Sequence, residues 1–152
     1  MILGLGMDTV YLPSFREQLA DPASRFAAGT FTDGERESAA ARADGDVARH
    51  LAVRFAAKEA VVKAWSAARW GRRPLMETVD LRDIEVVCDA WDRPEVRMHG
   101  AVAQAMIALG GRGHGVRWHL SLSHDGPIAS AVALVERVGD QCPVTNPEGD
   151  AP

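Results

Sequence analysis

The chain has 152 residues, 47% apolar content and a formal net charge of −4, which suits one globular domain with a real core and leaves no room for two. No run approaches the roughly 18 uninterrupted apolar residues of a membrane span, and no basic region leads into an apolar signal core, so a cytoplasmic protein without a membrane partner is expected. The acidic balance argues against nucleic acid, and the two cysteines, Cys88 and Cys142, are too few for a disulfide framework or a zinc site and are expected as free thiols.

Ile2 to Val10 alternates as a strand, with Gly4, Gly6 and Asp8 on one face. Glycine at two successive positions of that face permits close approach of another backbone or a ligand. Gly4-x-Gly6 is not a dinucleotide fingerprint, because the third glycine and an acid-ended second strand are missing. After Pro13 a short helix is expected over Ser14 to Ala20 with Ser14 as cap, then a helix from about Thr32 to Arg42 whose Thr32-x-x-Glu35 is a capping box. Asp44 or Asp46 caps a long helix that runs to about Trp70, ended by Gly71 and Pro74. Two alternating runs, Asp83 to Cys88 and Pro94 to His99, form a hairpin around Asp89 to Arg93. Ala101 to Leu109 reads as a small helix. Val116 to His124 and Ile128 to Val135 are strands joined at Asp125-Gly126, with His124 on the apolar face where its strand ends. The expected architecture is α+β: one domain over residues 1–138, a mainly antiparallel sheet packed on the long central helix, and a disordered acidic tail over 139–152.

The long helix is unusual around Arg54 to Trp65. At 100° per residue Leu51, Arg54, Phe55, Lys58, Val62 and Trp65 crowd one half, Glu59 and Lys63 sit at its edge, and Val53, Ala56, Ala57, Ala60 and Ala64 fill the other. A helix apolar nearly all round should be buried, and buried charge needs a partner or a ligand. Arg54 and Lys58, four apart and alike in charge, repel unless an anion such as phosphate lies between them. The plainer alternative is that the charged tips snorkel to solvent.

Asp8, the Lys58-Glu59-x-x-x-Lys63 helix and His124 stand out together. Two carboxylates without His-x-His or paired cysteines favour a hard, oxygen-liganded cation such as Mg²⁺, held with phosphate oxygens, and hence phosphoryl chemistry.

Five blocks carry a family resemblance. Gly4-Leu5-Gly6-Met7-Asp8, Phe31-Thr32-Asp33-Gly34-Glu35, Arg54-Phe55-Ala56-Ala57-Lys58-Glu59-Ala60-x-x-Lys63-Ala64, Asp83-Ile84-Glu85-Val86 and Leu120-Ser121-Leu122-Ser123-His124-Asp125 resemble, in order, the holo-acyl-carrier-protein synthases, which are phosphopantetheinyl transferases of fatty acid biosynthesis. The resemblance covers roughly Met1 to Val138. It implies transfer of 4'-phosphopantetheine from coenzyme A to a serine of an acyl carrier protein, free or as a synthase domain, with release of adenosine 3',5'-bisphosphate. By the family's pattern Asp8 and Glu59 bind Mg²⁺, Lys63 contacts the phosphates and stabilises developing charge, His124 helps hold the coenzyme's phosphates, and Arg54 and Lys58 line the nucleotide site. The attacking serine's base is Glu59 or a metal-bound water. The resemblance also implies a homotrimer in which Asp8 of one subunit meets the long helix of a neighbour, with the alanine side of the helix as the interface. Arg16 and Arg25 are candidates for docking the acidic carrier.

Two departures from the family's pattern are visible. Trp65 to Gly71 replaces glycines soon after the helix and lengthens the link to Asp83, and Asp44-Gly45-Asp46 stands where relatives often carry basic residues. The alternatives to the transferase are a catalytically idle, trimeric nucleotide- or carrier-protein-binding module of the same fold and, behind it, a magnesium-dependent phosphohydrolase.

Overall fold

The first and last strands among the described residues find each other. β1 (Ile2–Tyr11) pairs antiparallel with β5 (Ile128–Gly139), which pairs antiparallel with β4 (His114–Asp125), giving a three-stranded sheet of order β1-β5-β4. The computed structural model describes residues 1–139. A separate hairpin joins β2 (Ile84–Cys88) to β3 (Pro94–Met98). Four helices, α1 (Leu12–Ala20), α2 (Phe26–Thr30), α3 (Asp33–Ala40) and α4 (Val47–Ala67), occupy the stretch between β1 and the hairpin, and α5 (Gly100–Gly110) links β3 to β4. The α+β class and the antiparallel sheet on a long helix are as the sequence predicts.

Register decides what faces the helix. Gly4, Val135 and Trp118 lie in one row, then Gly6, Ala133 and Leu120, then Asp8, Ala131 and Leu122, then Val10, Ala129 and His124. Directly opposed residues share a face, and this face packs on α4, with Ala129, Ala131, Ala133 and Val135 all at or below 2% exposure. Small residues let sheet and helix touch backbone to backbone. A Cβ added to Gly6 would lie 2.1 Å from the Ala60 carbonyl oxygen, and one on Gly4 would lie 2.1 Å from that of Ala64. The alanine side of α4 is therefore covered by the chain's own β1, which corrects its assignment as a subunit interface. Ala52, Ala56, Ala57, Ala60 and Ala64 are all fully buried within one chain.

The helices are anchored locally as their sequences dictate. Thr32 caps α3: its Oγ1 accepts from Glu35 N at 3.1 Å, and Glu35 Oε2 accepts from Thr32 N at 3.0 Å. Asp46 caps α4 by accepting from Arg49 N at 3.1 Å. Phe15, Phe26, Phe31 and Phe55 form one aromatic cluster, with ring centroids 5.3–6.5 Å apart, that clamps α1 and α2 onto α4.

Several boundaries differ from expectation. α1 starts at Leu12, not at a Ser14 cap, because Leu12 N donates to Pro127 O at 2.8 Å and Pro13 sits in the first turn, where a missing N–H costs nothing. α2 has only 5 residues, too few for a helical period to show in the sequence. α4 stops at Ala67 rather than Trp70: Arg69 N and Trp70 N bond three residues back, to Ser66 O and Ala67 O, and Gly71 takes a φ of 73°. Asp83 belongs to a 3₁₀ turn, Leu81–Asp83, rather than to β2. Gly139 ends β5 opposite His114, so it is not part of a tail; the rest of the expected tail, and Cys142, lie outside the described residues. Cys88 is a free thiol. Among the described residues no helix is long and apolar enough to cross a membrane.

Candidate active site

The close contact of β1 with α4 delivers Asp8. On the face that runs Gly4, Gly6, Asp8, the first two positions touch the helix backbone and the third, with a side chain, meets the helix's polar edge. Lys63 Nζ donates to Asp8 Oδ1 at 2.7 Å and to Met7 O at 3.2 Å. The pair is asymmetric in burial, with side-chain exposures of 52% for Lys63 and 16% for Asp8. Its bond to Asp8 raises the ammonium pKa, as does the charge of Glu59.

Glu59 lies one turn before Lys63. Its pKa is raised, first by burial and then by the negative charge of Asp8, with Lys63 pulling the other way. Asp8 and Glu59 both line an open cleft of about 510 Å³ between β1, α1 and α4, whose other walls include Tyr11, Phe15 and Phe55. The Gly-x-Gly-x-Asp strand and the Lys-Glu helix are thus two parts of one site inside one chain. This overturns the expectation that Asp8 meets the helix of a neighbouring subunit: two glycines bring it to its own.

Lys58 and Arg54 are elsewhere. Lys58 is wholly buried and donates to Leu81 O at 2.8 Å and Ile84 O at 2.6 Å, with Glu35 Oε2 at 2.8 Å. An ammonium has three donors, and all three are used. Burial lowers its pKa, against the attraction of Glu35. Arg54 is also buried; its Nη1 donates to His50 O at 2.9 Å and its Nη2 to Ser38 Oγ at 3.0 Å. The expected phosphate lining by Lys58 and Arg54 is therefore corrected: both cations brace the fold from the inside, because α3 and the 81–84 backbone cover that side of the helix.

His124 is exposed at the end of β4, on the helix-facing side of the sheet. It shares a row with Val10, one step beyond Asp8 and two strands away, on the order of 10 Å across the sheet. One chain does not bring it to Asp8, Glu59 and Lys63. Arg16 on α1 is held at 2.8 Å by Asp46, the cap of α4.

Glu35 is the structural residue that sequence reasoning undervalued. Its Oε1 also accepts from Val86 N at 2.8 Å, so one carboxylate serves a cap, a strand and a lysine. The capping-box spacing revealed only the first of these roles.

Residues 4–132 match the family model of the 4'-phosphopantetheinyl transferase superfamily (ACPS). The chain is 47% identical over 135 residues to the holo-[acyl-carrier-protein] synthase of Mycobacterium tuberculosis, covering 89% of this chain and 97% of that relative. It is similar to the structure of a Chronobacterium ammoniagenes ACPS-CoA complex, with a TM-score of 0.76 and 40% identity, covering 87% of this chain and 95% of the other. A holo-(acyl-carrier-protein) synthase from Bacillus anthracis in complex with CoA (3',5'-ADP) aligns with a TM-score of 0.63 and 29% identity, over 89% and 96% of the two chains.

Proposed function

The chain belongs to the 4'-phosphopantetheinyl transferase superfamily as a holo-[acyl-carrier-protein] synthase, and from that premise we infer how its residues perform the reaction. It moves the phosphopantetheine arm of coenzyme A onto a serine of an apo acyl carrier protein, free or as a synthase domain, and releases adenosine 3',5'-bisphosphate. The observation that carries the assignment of roles is that Asp8 and Glu59 line one cleft and Lys63 is bonded to Asp8.

Two carboxylates at one cleft, one of them raised by the charge of the other, fit a divalent cation. Among the described residues no group of three or more His, Cys, Asp or Glu gathers to cage a metal. A site of Asp8 and Glu59 completed by substrate phosphates suits Mg²⁺, which when bound neutralises charge on the pyrophosphate. Lys63, half-exposed, exchanges its bond to Asp8 for the phosphate and meets the charge that develops in the transition state. Glu59, the carboxylate that burial makes more basic, receives the proton of the attacking serine hydroxyl.

The active assembly is a homotrimer joined through the outer face of the sheet. That face exposes Leu5 at 59% and Met7 at 56% beside Val132, an apolar surface that a monomer would leave in water, with Tyr11 beyond the Thr9–Ser130 pair. His124, exposed at the sheet edge, reaches the coenzyme's phosphates from a neighbouring subunit.

The test incubates purified protein with Mg²⁺, coenzyme A and an apo carrier protein and weighs the carrier. A mass gain of one phosphopantetheine arm is expected. Coenzyme A binding without any gain would return the idle binding module.

A further inference from the structure

We propose that Asp46 sets which acceptors this chain takes up: its carboxylate already holds Arg16 as an acceptor's carboxylate would, so an acidic carrier docks by displacing it. The corner between α1 and α4 thereby disfavours acceptors that depend on negative charge alone. This rests on the transferase reading above.

The path to Glu59 brings the acceptor to this corner. A serine reaches Glu59 through the mouth of the cleft, whose exposed polar rim is Thr9, Tyr11, Ser14 and Gln18. The β1 side of that rim adjoins the outer face of the sheet, the proposed subunit contact, which leaves α1 to meet the acceptor. At 100° per residue Ser14 and Gln18 stand on one flank of α1, Arg16 on the opposite flank and Glu17 on the exposed ridge between them. A helix is roughly 10 Å across. One partner's share of a specific protein interface, about 800 Å², is roughly 30 Å across. An acceptor seated over the mouth therefore covers Arg16 as well.

Arg16 is already engaged there. Its Nη2 donates to Asp46 Oδ2 at 2.8 Å. Asp46 is itself fixed, because its Oδ1 accepts from Arg49 N at 3.1 Å as the cap of α4 and its own N donates to Asp44 Oδ1 at 3.0 Å. This internal carboxylate is ordered before any partner arrives, whereas a partner's must be ordered on binding. Arg16 is also the main reason that the Asp46 pKa is lowered, so Asp46 stays ionised wherever an acceptor's acids are. Asp44 in turn holds Arg49, and His50 Nε2 at 2.9 Å. Two guanidinium groups thus face two carboxylates and their charges cancel, while Glu17 adds an acid on the ridge. This is the Asp44-Gly45-Asp46 stretch, where the family's pattern is often basic.

The pair is weak enough to open. Side-chain exposures of 49% for Arg16 and 24% for Asp46 leave both in reach of water, and ion pairs so placed add little to stability. Asp46 therefore weakens the docking of an acidic acceptor a few-fold rather than closing the site. It stands roughly 20 Å before Glu59 along the axis of α4, so it acts on docking and not on the chemical step.

The test measures calorimetric affinity for an acidic apo carrier protein, without coenzyme A, in wild type, Asp46→Asn, Arg16→Ala and the double variant. Asparagine keeps the cap of α4, and circular dichroism should be unchanged. At low salt Asp46→Asn should bind the carrier about fivefold more tightly than wild type, and in 0.5 M salt the gain should fall below about twofold. Arg16→Ala should cost about twofold or less in wild type and remove the whole gain in Asp46→Asn. A carrier whose acids nearest the serine are replaced by amides should bind wild type and Asp46→Asn alike. In transfer assays the carrier's KM should follow these affinities, with kcat of Asp46→Asn within about twofold of wild type. Equal affinities of wild type and Asp46→Asn, or the same loss on Arg16→Ala in both backgrounds, would overturn the proposal. Failure of all four proteins to bind the carrier would overturn the placement of the acceptor over α1, and the proposal with it. A carrier that is bound by wild type but not modified would instead refute the transferase reading and leave the affinity comparison standing.

Discussion

Lys58 Nζ and Glu35 Oε2 lie 2.8 Å apart with side-chain exposures of 0% and 1%, and between them they tie α3, α4 and the start of β2 into one body. A pair taken so completely out of water gains little over an apolar substitute, but either member left alone is costly. Helix α4 is thus held in place by the charge immediately beside Glu59 in sequence, on a face turned away from the cleft.

Lys58→Met should therefore destabilise the protein by about 3–5 kcal/mol, since it leaves the Glu35 carboxylate buried without its cation. Lys58→Met with Glu35→Gln should recover more than half of that loss. Guanidinium unfolding of the two variants checks both; a loss below about 1 kcal/mol for the single variant would contradict the pairing.

Gly6→Ala places a methyl group 2.1 Å from the Ala60 carbonyl and 2.9 Å from Lys63 Cβ, neither of which can yield without moving the helix. A loss of about 3 kcal/mol or failure to fold is expected, with Asp8 drawn away from Lys63. Gly29→Ala is the control. Nothing lies within 4 Å of its added methyl in α2, and a gain of about 0.5–1 kcal/mol is expected. Thermal unfolding of the two proteins side by side would expose an error in either sign.

Glu59→Gln should lower the transfer rate at least about 100-fold while leaving the unfolding temperature equal or higher. The sign follows from the raised pKa of Glu59. A carboxyl raised in the fold favours folding at low pH, below its unfolded pKa, and loses that contribution as pH rises through the folded value. At neutral pH the ionised group opposes folding, and glutamine does not. Calorimetry of the metal-free proteins at pH 4 and pH 8 should show the variant's relative advantage growing with pH; no trend would show that Glu59 is ionised at no cost, and the opposite trend that the fold favours its ionised form.

Met7 and Val132 are directly opposed on the outer face of the sheet. Replacing both by lysine sets like charges side by side on the proposed trimer surface. Light scattering should then report a monomer with unchanged circular dichroism, and the transfer rate should fall with the assembly. A variant that stays trimeric would move the interface elsewhere.

How far each residue could be read depended on the range of its interactions. The Thr32 and Asp46 caps, the hairpin loop and the alternating strands rest on neighbours within a few positions, and they were legible. Asp8, Glu59 and Lys63 stood out because charge beside glycines and alanines is out of place in sequence. α2 escaped because its 5 residues are fixed by aromatic packing rather than by a period. Lys58 and Arg54 were misassigned for a related reason: a cation on an apolar helix suggests a ligand, while its actual partners, Glu35, Leu81, Ile84 and Ser38, lie 16 to 26 residues away.

The sequence by itself determined the α+β class and the long helix and singled out Asp8, Glu59 and Lys63 as candidates, because local period, capping and out-of-place charge are written in adjacent residues. Only the tertiary structure decided that Asp8 belongs to the same chain's helix, that Lys58 is spoken for, and that the apolar surface left open is the outer face of the sheet. These are outcomes of which backbone approaches which, and that contact is made through the glycines of β1, whose missing side chains say nothing about what will come to lie against them.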